Sequence, residues 1–480
     1  MKLAHGFVKA GHFWLPSNKD QKIPGTLKIS ESGDTELELM GLFGESRSLF
    51  PNAIRIGRIN GKIESEGPVT LDNCHYTTRV RSSTISRSII YVNRVFLGAH
   101  FGDNEPIMIS GLRFSVEGLD EWLAISGIKT KHWKNRSTSI KFDPLKSIKL
   151  KLSNEINLSF TFEWTISQES FFQSKIEQKA SIKLESKSLV ELNDLTKLAF
   201  VLNTFLCFAL NEIVTISGPV IITSSKIKHK LSGSKELEVP IKVIYPSLPY
   251  SNRNPVVNWH SMLFGYPNVS DILADILQKW LVSYETSGPA YNLYIYSKSG
   301  IHRFADSNFL SLAQGIETFH RRNSTETDKP DAEFKALLSK ILASCDKSTQ
   351  EWLKGKLEHA NQISFRTRLK RLMEPFKTYF GTDKDRKKLI DDILNTRNYL
   401  THYDPRLEEK ACSGDRLIEI NDRLEGLFQL FFLSVIGFPN DKIHQIILNN
   451  FPLATKLGQR EKLLKKIMEK EAIKAALKKD

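Results

Sequence analysis

The spacing of apolar residues changes along this chain, and that change constrains the possible folds more than any other feature. Between Ile156 and Trp164, apolar side chains occupy every second position, which places them on one face of a β-strand. From about Ser307 onward they recur every three or four residues, as in amphipathic helices. The sequence therefore predicts an α+β multidomain protein in which a β-rich, sandwich-like domain precedes an all-α helical bundle.

The first part of the chain contains short candidate strands separated by Gly, Asn and Asp, a pattern that favours a sandwich or a barrel. These strands are Thr35–Met40, Ser88–Asn93, Pro106–Ser110, Ile148–Leu152, Ile156–Trp164, Ser181–Leu184 and Ile213–Thr223. A turn at Ser153–Glu155 is expected between two of them. One helix, Leu189–Asn211, interrupts the strand pattern.

The second part contains candidate helices with an apolar face. They are Ser307–Arg322, Ala332–Ala343, Thr349–His359, Ser364–Phe380, Lys384–His402, Asp415–Ile436 and Gly458–Lys479. A chain of 480 residues is too long for one ordinary core. We therefore expect a β-rich domain with a connecting region over residues 1–300, a helical domain over 305–455 and a basic helical tail over 456–480.

The net charge and the cysteine content indicate which binding partners and which cellular compartment to expect. A formal net charge of +14 attracts polyanions such as RNA. Four scattered cysteines form no CxxC zinc motif and no disulfide framework, which is typical of a reducing cytoplasm. The apolar stretches fall short of the ~20 residues that span a bilayer, and the first residues do not resemble a secretion signal. We expect a cytoplasmic protein with no membrane partner.

The segment 389–404 carries the residues best suited to chemistry. On a helix its apolar residues form one stripe, made of Leu389, Ile390, Ile393, Leu394 and Leu400. Arg397 falls in the middle of this stripe, and Asn398 and His402 lie together at its edge, one turn apart. Because a buried, unpaired guanidinium is costly, Arg397 should meet an acid, border a polar cleft or face a second subunit.

These three side chains suit cleavage of an RNA phosphodiester without a metal ion or other cofactor. His402 lies in the last turn before Pro405, where the helix dipole favours the protonated imidazole. A histidine that ionises near neutrality can move protons while an arginine steadies the negative phosphorane. Asn398 would hold the phosphate or orient His402. No cluster of carboxylates with histidine indicates a metal site.

The spacing of arginine and histidine does not by itself identify a catalytic pair. It occurs three times, at Arg94 and His100, Arg253 and His260, and Arg397 and His402. Only the third pair lies on a long amphipathic helix with asparagine directly after the arginine. The alternative interpretation, an arginine in a structural ion pair beside a solvated histidine, stays open.

Glu317 and Arg321 lie one turn apart at the margin of the apolar face of the first bundle helix. Glu317 either pairs with Arg397 or orients His402, or it forms only a local i,i+4 ion pair with Arg321. His320 points into the apolar face, so we expect a core histidine. Trp14 and Trp122 are also expected in the core.

Two clusters of basic residues are candidates for contacts with RNA phosphates. One comprises Arg366, Arg368, Lys370 and Arg371, and the other comprises Lys384, Arg386, Lys387 and Lys388. Solvated surface charge is the alternative for both. The second cluster opens a helix, where basic residues oppose the dipole, so another feature should favour the helix start there.

Several segments resemble a known family. RNYLTH (397–402) resembles the ribonuclease motif of HEPN domains, and NFLSLAQGIETFHRR (308–322) and SFRTRLKRLMEPF (364–376) resemble the Apea-like branch of these domains. HFWLPSNKDQKIPGTLKI (12–29), GRINGK (57–62) and VTLDNC (69–74) resemble the N-terminal domain of ApeA-type proteins. The likeness covers nearly the whole chain, and RNYLTH is its chemically specific part.

The resemblance implies an endoribonuclease of abortive-infection defence against phage. HEPN domains usually pair, so it also implies a homodimer or a higher even oligomer with a composite site. The N-terminal domain would then sense a phage-derived trigger or hold the enzyme inactive. Transfer RNA is the favoured substrate, because a nuclease that arrests growth gains most from an essential target.

Other classes of function remain open from the sequence. A non-catalytic protein could use a HEPN scaffold only for RNA binding or dimerisation, and a β-sandwich could bind glycans. For the dimer, Leu427, Phe428, Phe431 and Phe432 are expected at the seam, while the tail either packs on the partner subunit or contacts RNA.

Overall fold

A computed structural model describes residues 1–43, 55–80, 86–133, 137–152, 155–223, 228–230, 236–238, 240–251, 253–300, 304–461 and 464. The chain divides into two compact units, Met1–Ala274 and Asp275–Asp480. Residues 153–154 of the predicted turn and most of the predicted tail helix lie outside the described residues.

The first unit is rich in strands. In chain order they are β1 (Phe7–Leu15), β2 (Asn18–Ile29), β3 (Thr35–Leu39), β4 (Arg55–Ile63), β5 (Gly67–Val80), β6 (Arg87–Leu97), β7 (Met108–Val116), β8 (Ile128–His132), β9 (Thr138–Phe142), β10 (Ile148–Lys151), β11 (Ile156–Ser170), β12 (Gln173–Glu191), β13 (Ile216–Ile222), β14 (Lys228–Lys230), β15 (Glu236–Glu238) and β16 (Ile241–Ile244). Its helices are α1 (Leu119–Leu123) and α2 (Leu192–Leu210).

The second unit is helical. Its α-helices are α3 (Leu273–Lys298), α4 (Ala305–Asn323), α5 (Asp331–Ala343), α6 (Lys347–Leu357), α7 (Phe365–Met373), α8 (Asp383–His402), α9 (Gly414–Val435), α10 (Asn440–Ile447) and α11 (Phe451–Lys456). Short 3-10 helices follow at Glu374–Tyr379 and Pro405–Lys410. The predicted fold class, a β-rich domain followed by an α-helical one, is confirmed.

Six strands close into a barrel. β6 pairs with β3, and the pairing continues through β2, β1, β4 and β5 until β5 returns to β6. All of these pairs are antiparallel, and each strand of the ring has a paired neighbour on both sides. Inward-facing apolar side chains fill the ring, among them Phe13, Leu27, Leu37, Ile59, Leu71 and Val92, all fully buried.

The barrel continues into an open sheet through β6. The first half of β6 pairs with β3, and its last residues pair with β16. From β16 the sheet runs through β13, β7, β12 and β11 to β10. The core beside this sheet includes Trp122, whose indole N–H donates to the Phe264 carbonyl, as predicted for a core tryptophan. Trp14, at 9% exposure, is also buried as predicted.

Helix α2 packs on β7 and β12. By length and composition α2 could cross a membrane, yet 61% of its apolar window is buried inside the protein. A core helix has the same composition. Burial therefore accounts for the apolar character of α2.

Helices α4, α7, α8 and α9 contact one another and form the bundle of the second unit. The apolar face predicted for α4 is buried, from Phe309 to Phe319. The segment 364–380, predicted as one helix, is α7 followed by a 3-10 turn, because Pro375 cannot donate the hydrogen bond that an α-helix requires. Helices α5 and α6 pack on each other and bury none of their side chains fully.

Helix α3 lies where the sequence analysis expected a connecting region. It contains Pro289 and departs from helical geometry at Ser287. Proline removes a hydrogen bond from the helix, and side chains of α4 supply partners at the kink. Arg322 donates to the Thr286 carbonyl at 3.1 Å, and Asn323 donates to the Ser287 hydroxyl at 2.7 Å. The helical unit therefore begins before residue 300, the limit expected for the first domain.

Candidate active site

Helix α8 carries the candidate residues, and local sequence sets both of its ends. Thr382 and Asp385 form a reciprocal capping box at the start, with Asp385 N–H donating to the Thr382 hydroxyl at 3.3 Å and Thr382 N–H donating to the Asp385 carboxylate at 2.9 Å. The hydrogen bonds of this box offset the repulsion between the basic residues at the helix start and the positive end of the helix dipole. Tyr403 ends the helix in a left-handed conformation, φ 48°, just before Pro405.

Arg397 projects from α8 toward an acid on α4, as expected for a partly buried guanidinium. Its Nη2 lies 3.4 Å from Glu317 Oε2, and its Nη1 donates to the Asn398 amide oxygen at 3.1 Å. The Arg397 side chain is 35% exposed, against 17% for Glu317. The guanidinium is therefore held on one side and open to solvent on the other.

Glu317 forms both of the ion pairs that were alternatives from the sequence, one with Arg397 and one with Arg321. Its second oxygen accepts a hydrogen bond from Arg321 at 2.9 Å, the local i,i+4 pair, while the first faces Arg397. A single carboxylate thus aligns two cations from two helices. Arg321 is 51% exposed and completes this polar patch at the surface.

His402 lies in the last turn of α8, as predicted, and its side chain is exposed. It follows Arg397 by five positions, which corresponds to ~7.5 Å along the helix axis and ~140° around it. Asn398 lies between them but turns its amide oxygen to Arg397. The pair therefore lines two sides of one helix end.

Asp404, which the sequence analysis did not consider, adds a negative charge beside His402. Hydrogen bonds from the side chain and backbone of Arg406, together with a smaller attraction to His402, lower the Asp404 pKa to about 2. The carboxylate is therefore ionised at neutral pH and places a negative charge beside the exposed His402. The sequence signal that could have revealed this charge is an aspartate placed between the histidine at the helix end and the following proline.

Two contacts, one buried and one partly buried, hold the end of α8 in place, and neither was considered from the sequence. The fully buried Thr396 hydroxyl donates to the Asp392 carbonyl at 2.7 Å and accepts from Cys412 N–H at 2.9 Å. Arg416 of α9 donates to the Asp392 carboxylate at 2.9 Å. These contacts tie the segment after the helix back onto it, which fixes where His402 emerges.

The apolar stripe of α8 is only partly buried. Leu389, Ile390 and Ile393 are buried, whereas Leu394 and Leu400 are half-buried. Leu394 and Leu400 lie three residues before and after Arg397. The exposed part of the stripe thus flanks the guanidinium on both sides.

The first basic cluster does not form one surface. Arg368 is buried, at 4% exposure, and donates to His320 Nδ1 at 3.0 Å. His320 is a core histidine, as predicted, and burial together with Arg368 lowers its pKa. Arg366 pairs with Asp391 and Arg371 with Glu326, each within 2.7 Å. Arg368 is therefore removed from the candidate RNA contacts.

The exposed basic residues of the two clusters are Lys370, Arg371, Lys384, Lys387 and Lys388, and of these Arg371 pairs with Glu326. Arg386 instead donates to the carbonyl of Lys377 at 3.2 Å and pairs with Asp383.

The residues expected at a dimer seam lie in the core of the helical unit. Leu427, Phe428 and Phe432 are at most 2% exposed, and the Phe432 ring stacks on Tyr291 at 4.2 Å. Phe431, half-buried, packs on Phe319 and Phe376. The expectation for the three buried residues was wrong, because the apolar face of α9 is covered by α3 and α4 of the same chain.

In the described ranges, no three His, Cys, Asp or Glu side chains gather where they could hold a metal ion.

Two family models match the chain. The model of ApeA N-terminal domain 1 matches residues 9–280, and the model of Apea-like HEPN matches residues 310–442. The second match includes Glu317, Arg397 and His402. No curated protein and no solved structure shows significant similarity to the chain.

Proposed function

The chain belongs to the ApeA family and carries an Apea-like HEPN domain, and on this premise we propose that it is a metal-independent endoribonuclease. The match to this branch of HEPN domains supports a nuclease function in antiviral defence. The observation that carries the proposal is the arrangement at the end of α8. Arg397 is held by Glu317 and Asn398 with one side open, and His402 is exposed one helical turn beyond Asn398.

The proposed reaction uses the substrate's own 2′-hydroxyl as nucleophile. An unprotonated His402 accepts the 2′-OH proton while the 2′ oxygen attacks the adjacent phosphorus. The Arg397 guanidinium stabilises the negative phosphorane through two of its N–H groups. A protonated His402 then donates to the departing 5′ oxygen. The P–O5′ bond breaks, leaving a 2′,3′-cyclic phosphate and a 5′-OH.

In-line displacement needs a base on one side of the phosphorus and an acid on the other. One chain supplies a single His402 at this end of α8, so we propose that two copies pair about a two-fold axis and share the site. The half-buried Leu394 and Leu400 beside Arg397 support this interface, because pairing would cover them together with the guanidinium.

The substrate in this proposal is cellular RNA, with tRNA favoured. The exposed lysines 370, 384, 387 and 388 would contact its phosphates, with Arg366 and Arg371 at their margin. We place the reaction in the cytoplasm during abortive infection, with a phage-derived trigger acting on the N-terminal domain.

The test is incubation of pure protein with total RNA in excess EDTA, followed by analysis of the RNA ends. Cleavage that leaves cyclic phosphates, and that His402→Ala abolishes, supports the proposal. Ends with 3′-OH and 5′-phosphate would indicate metal-activated water and contradict it. RNA binding without cleavage by the wild type would favour a scaffold that only binds RNA or dimerises.

A further inference from the structure

The outer wall of the barrel carries a row of polar and aromatic side chains on three neighbouring strands. Arg55 of β4 is paired in register with His75 of β5, and His75 is paired with Tyr91 of β6. Neighbouring strands lie ~4.8 Å apart, so the row spans ~10 Å. Arg55 and His75 are exposed and Tyr91 is half-buried. The row therefore faces solvent and not the barrel core.

This row lines a groove of about 420 Å³. The other described residues that line it are Asn73, Cys74 and Asn93. The His75 and Tyr91 rings are 5.0 Å apart and tilted by 40°. Asn93 follows Tyr91 by two positions and so shares its face of the strand. The groove combines an aromatic platform, two amides and one guanidinium, and its described lining includes no carboxylate.

The guanidinium of Arg55 is positioned by an irregularity in the pairing of β4 and β5. The register shifts between Arg55 and Gly57 and again between Gly57 and Ile59, and opposite the second shift Asn73 adopts a left-handed conformation, φ 54°. The Asn73 amide oxygen accepts a hydrogen bond from Arg55 Nη2 at 3.1 Å. Within the described residues this neutral amide is the side-chain partner of Arg55. Among the described residues no carboxylate pairs with Arg55, so its guanidinium can pair with an anion.

From this placement we propose that the groove binds a nucleoside phosphate, either free or as one residue of single-stranded RNA. The base stacks on His75 and Tyr91, Asn93 hydrogen-bonds to its edge, and Arg55 takes the phosphate. A neutral glycan would leave the charge of Arg55 uncompensated. Double-stranded RNA is a poor ligand because its bases are not free to stack on protein side chains. The site is separate from α8 and does not depend on the proposed cleavage.

The experiment measures binding to the full-length His402→Ala protein, so that RNA stays intact. Ligands are the four nucleoside monophosphates, a short single-stranded oligoribonucleotide, the same sequence as a duplex, and inorganic phosphate. Arg55→Ala and Tyr91→Ala should each weaken nucleotide binding about tenfold or more, the size expected for a lost phosphate contact or a lost stacked base. Lys62→Ala, an exposed cation on the same strand, is the matched control and should change Kd less than about twofold.

Binding of monophosphates identifies a free nucleotide as sufficient, whereas binding only of the oligonucleotide identifies an RNA strand. Tyr91→Phe keeps the ring and should keep the affinity, which separates loss of stacking from misfolding. The proposal is overturned if no nucleotide ligand binds. Equal losses in Lys62→Ala and Arg55→Ala would also overturn it, as would inorganic phosphate binding as tightly as nucleotides.

Discussion

Replacing Arg397 with lysine separates the chemical role of its guanidinium from its contribution to folding. In the folded chain this side chain makes one 3.4 Å contact with Glu317 and one 3.1 Å hydrogen bond with Asn398. At 35% exposure, such an ion pair contributes less than ~1 kcal/mol to stability, and a lysine retains the charge. Arg397→Lys should therefore unfold at nearly the same urea concentration as the wild type.

Cleavage should respond very differently. Lysine cannot present the planar pair of N–H groups that matches two phosphate oxygens. Loss of one preorganised donor at a developing negative charge costs ~100- to 1,000-fold in rate. We expect a decrease of this size in the cleavage rate of a defined oligoribonucleotide under single-turnover conditions.

Arg321→Lys is the matched control, since Arg321 contacts the same carboxylate from one turn further along α4. It should retain cleavage within about threefold, as expected for an exposed ion pair. If Arg397→Lys cleaves at the wild-type rate, Arg397 is only a structural charge. If both variants lose activity equally, the role belongs to Glu317 and its network and not to the Arg397 guanidinium.

Three further results are expected. His402→Ala should abolish cleavage without changing the urea midpoint, because its side chain is exposed; a shifted midpoint would indicate a packing role. Mixing His402→Ala subunits with wild-type subunits should lower activity more than dilution explains, whereas a strictly proportional loss would argue against a shared site. Burial raises the pKa of Glu425, but attraction to Lys298 and Lys456 outweighs it and lowers that pKa from 4.5 to about 2. The stability contributed by Glu425 is therefore present above pH ~4.5 and lost as the pH falls towards 2. Burial also lowers the Lys456 pKa, which offsets part of this contribution. Glu425→Gln should still cost ~3 kcal/mol at pH 7 in urea unfolding, since it removes the carboxylate that both Lys298 and Lys456 contact in a largely buried site; an unchanged unfolding free energy would contradict this.

Local signals were enough to predict α8 nearly to the residue. Its apolar spacing and the proline after its end act within a few residues of the chain, and so does the capping box of Thr382 and Asp385, which was not predicted. The same holds for His402 in the last turn. Helix α3 was not predicted in this way, because a proline within a helical pattern indicates a helix end, whereas here Arg322 and Asn323 of another helix donate hydrogen bonds at the kink.

Periodicity shows that a face is apolar but not what covers it. The same pattern on α9 is compatible with a dimer seam or with an internal core, and packing of Tyr291 on Phe432 shows the core to be correct. Likewise, the spacing of basic residues on α7 gave no sign that Arg368 turns inward to His320 while Lys370 stays exposed. Contacts between segments that are distant in the sequence determine what covers the apolar face of α9 and which basic residue of α7 is buried.

The sequence by itself determined the two kinds of secondary structure, the helix that carries Arg397 and His402, and the presence of Asn398 between them. Only the tertiary structure decided that Glu317 joins Arg397 to Arg321, and that β6 closes the barrel by pairing with both β3 and β5. The physical reason is the separation along the chain of the residues that interact. Helix caps and strand alternation depend on neighbours along the chain, whereas an ion pair across helices and a closed ring of strands depend on which distant surfaces pack together.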